Sequence, residues 1–173
     1  MPRKGSRHRI KRGTGESIRP PATVRYATSV KTRLLIVDAD VARRLRAVAA
    51  LSERFDALPV PEGEDPLRIA RTGRADMALL GITRRDPNEM ARLSRMLRTD
   101  LRPVARIAVY GTTSIAAEAA FDQWQIDAFA GEEMDAASLL HFVEAAWRGE
   151  RVARGSPAPT GPLARLYRRI RGR

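Results

Sequence analysis

The chain has 173 residues, of which 43% are hydrophobic and 5% aromatic, which suits one compact domain with modest tails. The absence of cysteine excludes disulfides, thiolate metal sites and a cysteine nucleophile, and two histidines are too few for a multi-histidine metal site. No apolar run reaches the roughly 18 residues of a transmembrane helix. Because no secretory signal or transit peptide is recognisable either, we expect a cytoplasmic protein.

The net charge of +12 is concentrated at the two ends of the chain. Residues 1–32 carry a net charge of +8 and residues 148–173 carry +7, whereas residues 33–147 carry −3. The body of the protein is therefore slightly acidic, and both ends are strongly cationic.

Composition divides the chain into three parts. Residues 1–31 contain few large aliphatic side chains, which predicts a flexible, disordered basic arm. A globular domain is predicted over residues 32–150. Residues 151–173 are interpreted as a linker rich in Pro and Gly, followed by a short basic amphipathic helix.

Five apolar runs of strand length alternate with five segments of helical spacing in the central part. The predicted strands lie at residues 33–37, 55–60, 76–80, 104–110 and 126–130. Helices are predicted to begin near residues 40, 66, 86, 113 and 135, with Asp40 and Asp135 as the caps of the first and the last. In the first helix, the apolar residues at helical spacing are Val41, Leu45, Val48 and Ala49. Since each crossover must be right-handed, this order predicts an α/β fold, a doubly wound parallel sheet with helices on both faces.

Three of these segments resemble the first, third and fifth strands of a response-regulator receiver domain. They are LLIVDAD at residues 34–40, ADMALLG at residues 75–81 and IDAFAGEEM at residues 126–134. The resemblance covers about residues 32–148 and implies a flavodoxin-like, five-stranded sheet of order 2-1-3-4-5. It also implies a place in two-component signalling or a phosphorelay.

Receivers of this family use an acidic pair after strand one, a phosphate-accepting aspartate after strand three, a hydroxyl after strand four and a lysine after strand five. The corresponding residues here are Asp38 with Asp40, Gly81, Tyr110 and Glu132. Glycine cannot form an acyl phosphate, and a glutamate in place of lysine would repel phosphate. We therefore predict a degenerate pseudo-receiver that works without phosphorylation.

Two further interpretations concern this pocket. Asp38 and Asp40 could retain a divalent cation, but we favour helix capping and remnant polarity for them and predict neither a metal nor a cofactor. Glu132 could pair with Arg84 or Arg85, so that a fixed ion pair replaces a phosphate-dependent switch.

The resemblance also implies a contact surface for a protein partner. In this family the fourth helix, fifth strand and fifth helix commonly make such contacts, which points to residues 116–123 and to the side chains that follow. Those side chains are Phe129, Leu139, Phe142 and Val143. A place in the core is the alternative for Phe129.

The cationic ends provide a second candidate binding element. Four apolar residues of the C-terminal segment fall at positions i, i+3, i+4 and i+7 of a helix: Leu163, Leu166, Tyr167 and Ile170. Cationic side chains accompany them there and in the N-terminal arm: Arg165, Arg168, Arg169, Arg7, Arg9, Lys11 and Arg12. The pattern fits docking in a partner's groove, binding to an anionic membrane surface, or contact with nucleic acid, and an inert tail is the alternative.

We conclude from the sequence that this is a non-enzymatic signalling or scaffolding protein. Its receiver-like domain is predicted to bind a protein partner, while the cationic tails tether it to an acidic surface. One alternative is a nucleic-acid-associated protein whose tails supply the affinity, and another is a structural subunit of a larger assembly.

Overall fold

The computed structural model describes residues 31–82, 87–100, 103–113 and 115–155, in which strands and helices alternate. The strands are β1 (Arg33–Val37), β2 (Asp56–Pro59), β3 (Met77–Gly81), β4 (Arg106–Tyr110), β5 (Ala128–Ala130) and β6 (Val152–Arg154). The helices are α1 (Val41–Leu51), α2 (Pro66–Gly73), α3 (Pro87–Thr99), α4 (Ala117–Trp124) and α5 (Ala136–Trp147). All five predicted strands and helices are present, in the predicted order.

The strands form one parallel sheet of order β2-β1-β3-β4-β5-β6. The predicted α/β class and the order of the first five strands are confirmed, but the predicted count of five strands was wrong. The sixth strand pairs in parallel with β5, and the Gly131 N–H donates to the Arg154 carbonyl at 2.9 Å. β6 is short and partly polar, so it lacks the apolar run by which the equally short β5 was predicted. The sheet therefore extends beyond residue 150, where the domain was predicted to end.

Helices cover both faces of the sheet, as a doubly wound fold requires. Successive side chains of β1 show the division: Leu34 and Ile36 pack in the layer of α1 and α5, and Leu35 packs in the layer of α2, α3 and α4. All three side chains are fully buried. The inner strands of the sheet are therefore apolar on both faces, which explains why they read as continuous hydrophobic runs.

Aspartate side chains begin three of the helices. Asp40, Asp65 and Asp135 each accept a hydrogen bond from a backbone N–H in the first turn, at 2.9, 2.9 and 2.7 Å respectively. These bonds satisfy amide groups that have no partner within the helix. The predicted caps at Asp40 and Asp135 are confirmed.

Helix α1 turns an unexpected face towards the core. Its buried residues are Arg43, Ala47 and Leu51, at positions i, i+4 and i+8. Two of the large apolar residues at helical spacing, Val41 and Leu45, are instead 46% and 62% exposed. The helix is rotated so that Arg43, and not Val41 or Leu45, points into the protein.

Candidate functional site

The register of the parallel strands brings three predicted site residues together. Val37 of β1 lies beside Leu80 of β3, and Gly81 lies beside Tyr110 of β4. Asp38, which directly follows β1, therefore lies beside Gly81. The three meet at the carboxyl edge of the sheet, where open α/β folds place their functional groups.

The carboxylate of Asp38 is the centre of this site. Its Oδ1 accepts hydrogen bonds from Arg43 Nη2 and from the Asp40 backbone N–H, each at 2.9 Å. Its Oδ2 accepts from Arg43 Nε at 2.6 Å and from the Tyr110 hydroxyl at 2.7 Å. A carboxylate has about four acceptor positions, so these four donors saturate it. The Asp38 side chain is fully buried.

Arg43 supplies the positive charge of the site from the first turn of α1. Besides the two bonds to Asp38, its Nη1 approaches Glu133 Oε1 at 3.3 Å and its Nη2 donates to the Ile82 carbonyl at 3.3 Å. The guanidinium also lies 5.6 Å from the centroid of the Tyr110 ring. The hydrogen bonds to Asp38 raise the pKa of Arg43 above its ordinary value, so the guanidinium stays charged.

Two glycines leave the room that this network occupies. A Cβ at Gly81 would overlap the Asp38 carboxylate and lie 2.9 Å from the Asp38 Cβ. At Gly111, which has a φ of +115°, a Cβ would lie 2.8 Å from the Ile82 carbonyl oxygen and 3.3 Å from Arg43 Nη1. The space that a side chain on β3 would need is thus filled by the Asp38–Arg43 pair.

Tyr110 closes the site from β4. The residue is 3% exposed, and its hydroxyl donates to Asp38. Burial raises the pKa of the Tyr110 phenol well above its ordinary value, and the adjacent carboxylate raises it further. The phenol therefore remains a hydrogen-bond donor throughout the neutral pH range.

The residues present do not fit the magnesium ion that receiver chemistry uses. Magnesium binds through carboxylate oxygens and keeps several waters, whereas all acceptor positions of Asp38 are already used by protein donors. Asp40 accepts the Arg43 backbone N–H as a helix cap. Within the described ranges, no three acidic or histidine side chains are grouped so that they could hold a metal ion.

Sequence reasoning missed two members of the site, Arg43 and Glu133. The expected lysine position, Glu132, is exposed, and the following residue is the one that reaches Arg43. The suggested partners of Glu132, at residues 84 and 85, lie outside the described residues. The sequence did contain a signal for Arg43. It lies at helical spacing with Ala47 and Leu51, so a buried face through these two residues would include the arginine.

The four side chains assigned to the partner face are buried. Phe129, Phe142 and Val143 have no exposed surface, and Leu139 is 5% exposed. We correct their assignment: they pack in the two core layers because they lie on the inward sides of β5 and α5. A partner-binding surface on this side of the domain remains a prediction. Exposed residues near these four buried side chains would have to form it.

The tail residues assigned to docking and anion binding, at residues 1–30 and 156–173, lie outside the described residues. In the parts of the chain that the structure describes, no helix has the length and apolar character needed to cross a membrane.

Comparison with known proteins gives structural neighbours only. No family model and no curated sequence matches. The chemotaxis response regulator CheY4 of Vibrio cholerae superposes with a TM-score of 0.55 at 13% identity, covering 67% of this chain and 98% of that one. A response regulator protein from Burkholderia multivorans gives 0.50 at 20% identity, covering 66% and 94%. The response regulator ChrA of a heme-sensing two-component system gives 0.50 at 16%, covering 83% and 68%. At these identities the likeness concerns the fold: the chain folds as response-regulator receiver domains do.

Proposed function

We propose that this protein is a non-enzymatic signalling or scaffolding protein whose receiver-like domain binds a protein partner without being phosphorylated. The observation that carries the proposal is the saturated Asp38 carboxylate beside Gly81. In this chain the end of β3 offers no carboxylate to a phosphoryl donor, and the neighbouring acid is neutralised by a guanidinium.

The same contacts support a domain with one fixed state. Asp38 follows β1, Arg43 belongs to α1, Tyr110 ends β4, and Glu133 lies between β5 and α5. One network of hydrogen bonds therefore links four parts of the carboxyl edge. A switch requires two arrangements whose balance a ligand changes. Here the protein's own arginine supplies the countercharge permanently, so partner binding is expected to be constitutive.

The charge distribution supports a tethering role for the tails. Net charges of +8 in residues 1–32 and +7 in residues 148–173 flank a body of −3. A polyanion, such as an acidic protein surface or an anionic membrane, attracts such segments at low salt. In this proposal the tails hold the protein, which acts in the cytoplasm, near an acidic surface, and the domain makes the specific contact.

Phosphorylation chemistry tests the proposal directly. Incubation with acetyl phosphate and millimolar Mg²⁺ is expected to give no added phosphoryl group by intact-protein mass spectrometry. A phosphorylatable receiver domain treated in parallel serves as the positive control. A phosphoryl group mapped to residues 76–86 would contradict the proposal, and so would partner binding that appears only after the treatment.

The segregated charge also favours a second candidate, a nucleic-acid-associated protein. In this case the tails contact phosphates and the domain acts as a spacer or partner-binding module. The two candidates differ in which part of the chain supplies the binding energy, and salt dependence separates them.

A further inference from the structure

A groove lies between α1 and α5, next to the site, and its lining includes Arg43, Tyr110 and Glu133 of the Asp38 network. Its volume is about 370 Å³, within the roughly 300–1,000 Å³ range of pockets that hold ligands or side chains. Ala49 and Ala50 line it on α1, and Met134 and Leu139 line it on the opposite side. The floor is therefore apolar, and small alanines on α1 leave room for larger side chains from an occupant.

Exposed apolar surface continues from this groove along α1. Val41, Leu45 and Ala49 follow one another at intervals of four residues, so they form one ridge on the helix. Val41 is 46% and Leu45 62% exposed. Ala49 belongs both to the ridge and to the groove. Apolar ridges of this kind fit the apolar face of an amphipathic helix.

The rim of the groove is acidic on the α5 side. Glu132, Glu133 and Asp135 are all exposed within four consecutive residues, and the last two line the groove. Arg46 lies on the α1 side. Arg43 also lines the groove and is paired with Glu133. An occupant with cationic side chains along one edge would therefore complement Glu132 and Asp135.

The described chain ends beside this rim. A Cβ at Gly155 would lie 2.6 Å from the Cβ of Glu132, so the backbone leaves β6 in contact with the β5–α5 connection. Seven residues separate Gly155 from Leu163, and an extended chain spans about 3.3–3.6 Å per residue. Residues 156–162 can therefore reach about 23–25 Å, roughly two helix diameters.

We propose that residues 163–173 dock in cis in the groove between α1 and α5 of the same molecule. Their apolar positions, Leu163, Leu166, Tyr167 and Ile170, match the apolar floor and the α1 ridge. Their arginines match the acidic rim. The groove shares Arg43, Tyr110 and Glu133 with the Asp38 network. The assignment nevertheless does not rest on the proposed function, because it concerns where a segment of this chain docks and not whether the domain is phosphorylated. Docking would make the tail and any partner of this groove compete for one surface.

A spin-label experiment on the full chain tests the proposal. Because the chain has no cysteine, a single introduced cysteine gives one defined attachment site for the label. With a nitroxide on Gly172→Cys, the amide signals of Arg46, Ala49 and Ala136 are expected to lose most of their intensity. Adding Leu166→Asp and Ile170→Asp should restore them, because each introduces a carboxylate into an apolar contact.

Two controls make the result decisive. Met96→Asp changes an exposed apolar residue on α3, across the sheet, and should leave the signal loss unchanged. Mixing spin-labelled chains with isotope-labelled chains reports contacts between molecules. Signal loss in that mixture would overturn cis docking in favour of a second copy. An absence of groove-specific loss, or loss that survives both aspartate substitutions, would also overturn it.

Discussion

Arg43 holds a position at which a charge would ordinarily be costly. It is only 9% exposed, yet it forms two parallel hydrogen bonds to a buried carboxylate and a third to a backbone carbonyl. Paired in this way, both charges are tolerated inside the protein. Arginine suits the site better than lysine because its planar fork matches both carboxylate oxygens.

Removal of this arginine is expected to destabilise the domain strongly. Arg43→Ala leaves Asp38 as a buried charge without a counter-ion, which typically costs about 3–5 kcal/mol in the free energy of unfolding. Denaturant unfolding followed by circular dichroism measures the loss. Arg43→Lys should be intermediate, since it retains the charge without the bidentate geometry.

Arg46→Ala is the matched control, because Arg46 lies on the exposed side of the same helix. Its effect should stay within about 0.5 kcal/mol. Equal effects at the two positions would show that the buried pair contributes nothing special.

The sequence allowed part of this site to be predicted and hid the rest. Asp38, Gly81 and Tyr110 follow strands, and parallel strands end at one edge, so their meeting could be derived. The burial of Arg43 could not be predicted, because the apolar residues Val41 and Leu45 indicated a different buried face of α1. The ion pair between Arg43 and Asp38 determines which face of α1 is buried.

At the scale of single elements, aspartate caps determine where three helices begin. The backbone N–H bond from Arg43 lowers the pKa of Asp40 from its ordinary value of 3.8, and the bonds from Ser138 lower that of Asp135. Both groups are therefore more acidic in the folded protein. Each contributes stability above its ordinary pKa and loses that contribution as the pH falls through the lowered value.

This linkage predicts a measurable change with pH. Asp40→Asn keeps an oxygen acceptor at the cap, and asparagine is as good a capping residue as aspartate, but it no longer titrates. The difference in unfolding free energy between the native chain and this variant should shrink as the pH falls below about 4. Chemical denaturation at a series of pH values measures the difference. If it is independent of pH, Asp40 does not act through its charge.

The sixth strand shows where short elements escape sequence prediction. Five strands were predicted because each is an apolar run between turn signals. By contrast, Val152–Arg154 is partly polar, and its last two residues are exposed. Only the pairing with β5 identifies it, and pairing partners are set by the tertiary fold.

We expect the domain boundary to follow β6. A chain that ends at residue 150 should be less stable than one that ends at residue 155, because it loses the hydrogen bonds between β5 and β6. Two or three such bonds at about 0.5–1.5 kcal/mol each correspond to a loss of roughly 1–4 kcal/mol. Denaturant midpoints of the two truncated chains measure it. Equal midpoints would mean that β6 is only a surface appendage.

The whole molecule combines an acidic body with cationic ends. This division could be read from the sequence, because it depends on composition alone. The partner could not, since neither the fold nor the charge specifies one.

At this scale the charge predicts a salt-sensitive association. The full chain should bind duplex DNA without sequence preference, with an affinity that falls by about 0.9 log unit per log unit of salt for each phosphate contacted. Fluorescence anisotropy at several salt concentrations gives the slope. A chain restricted to residues 32–155 is the control and should not bind. Binding that resists salt, or that survives removal of the tails, would contradict an electrostatic role for them.

Gly81 has a consequence for how this site could be changed by mutation. A single mutation to aspartate would not create a working phosphate acceptor, because the new side chain would collide with the Asp38 carboxylate. Loss of Arg43 by itself would leave a buried acid without its counter-ion. Each single substitution towards a phosphorylatable site is thus expected to lower stability. Glycine at 81 and arginine at 43 therefore form a mutational barrier: phosphorylation chemistry could be built here only by coordinated substitutions, whereas surface positions away from the site are free of this constraint.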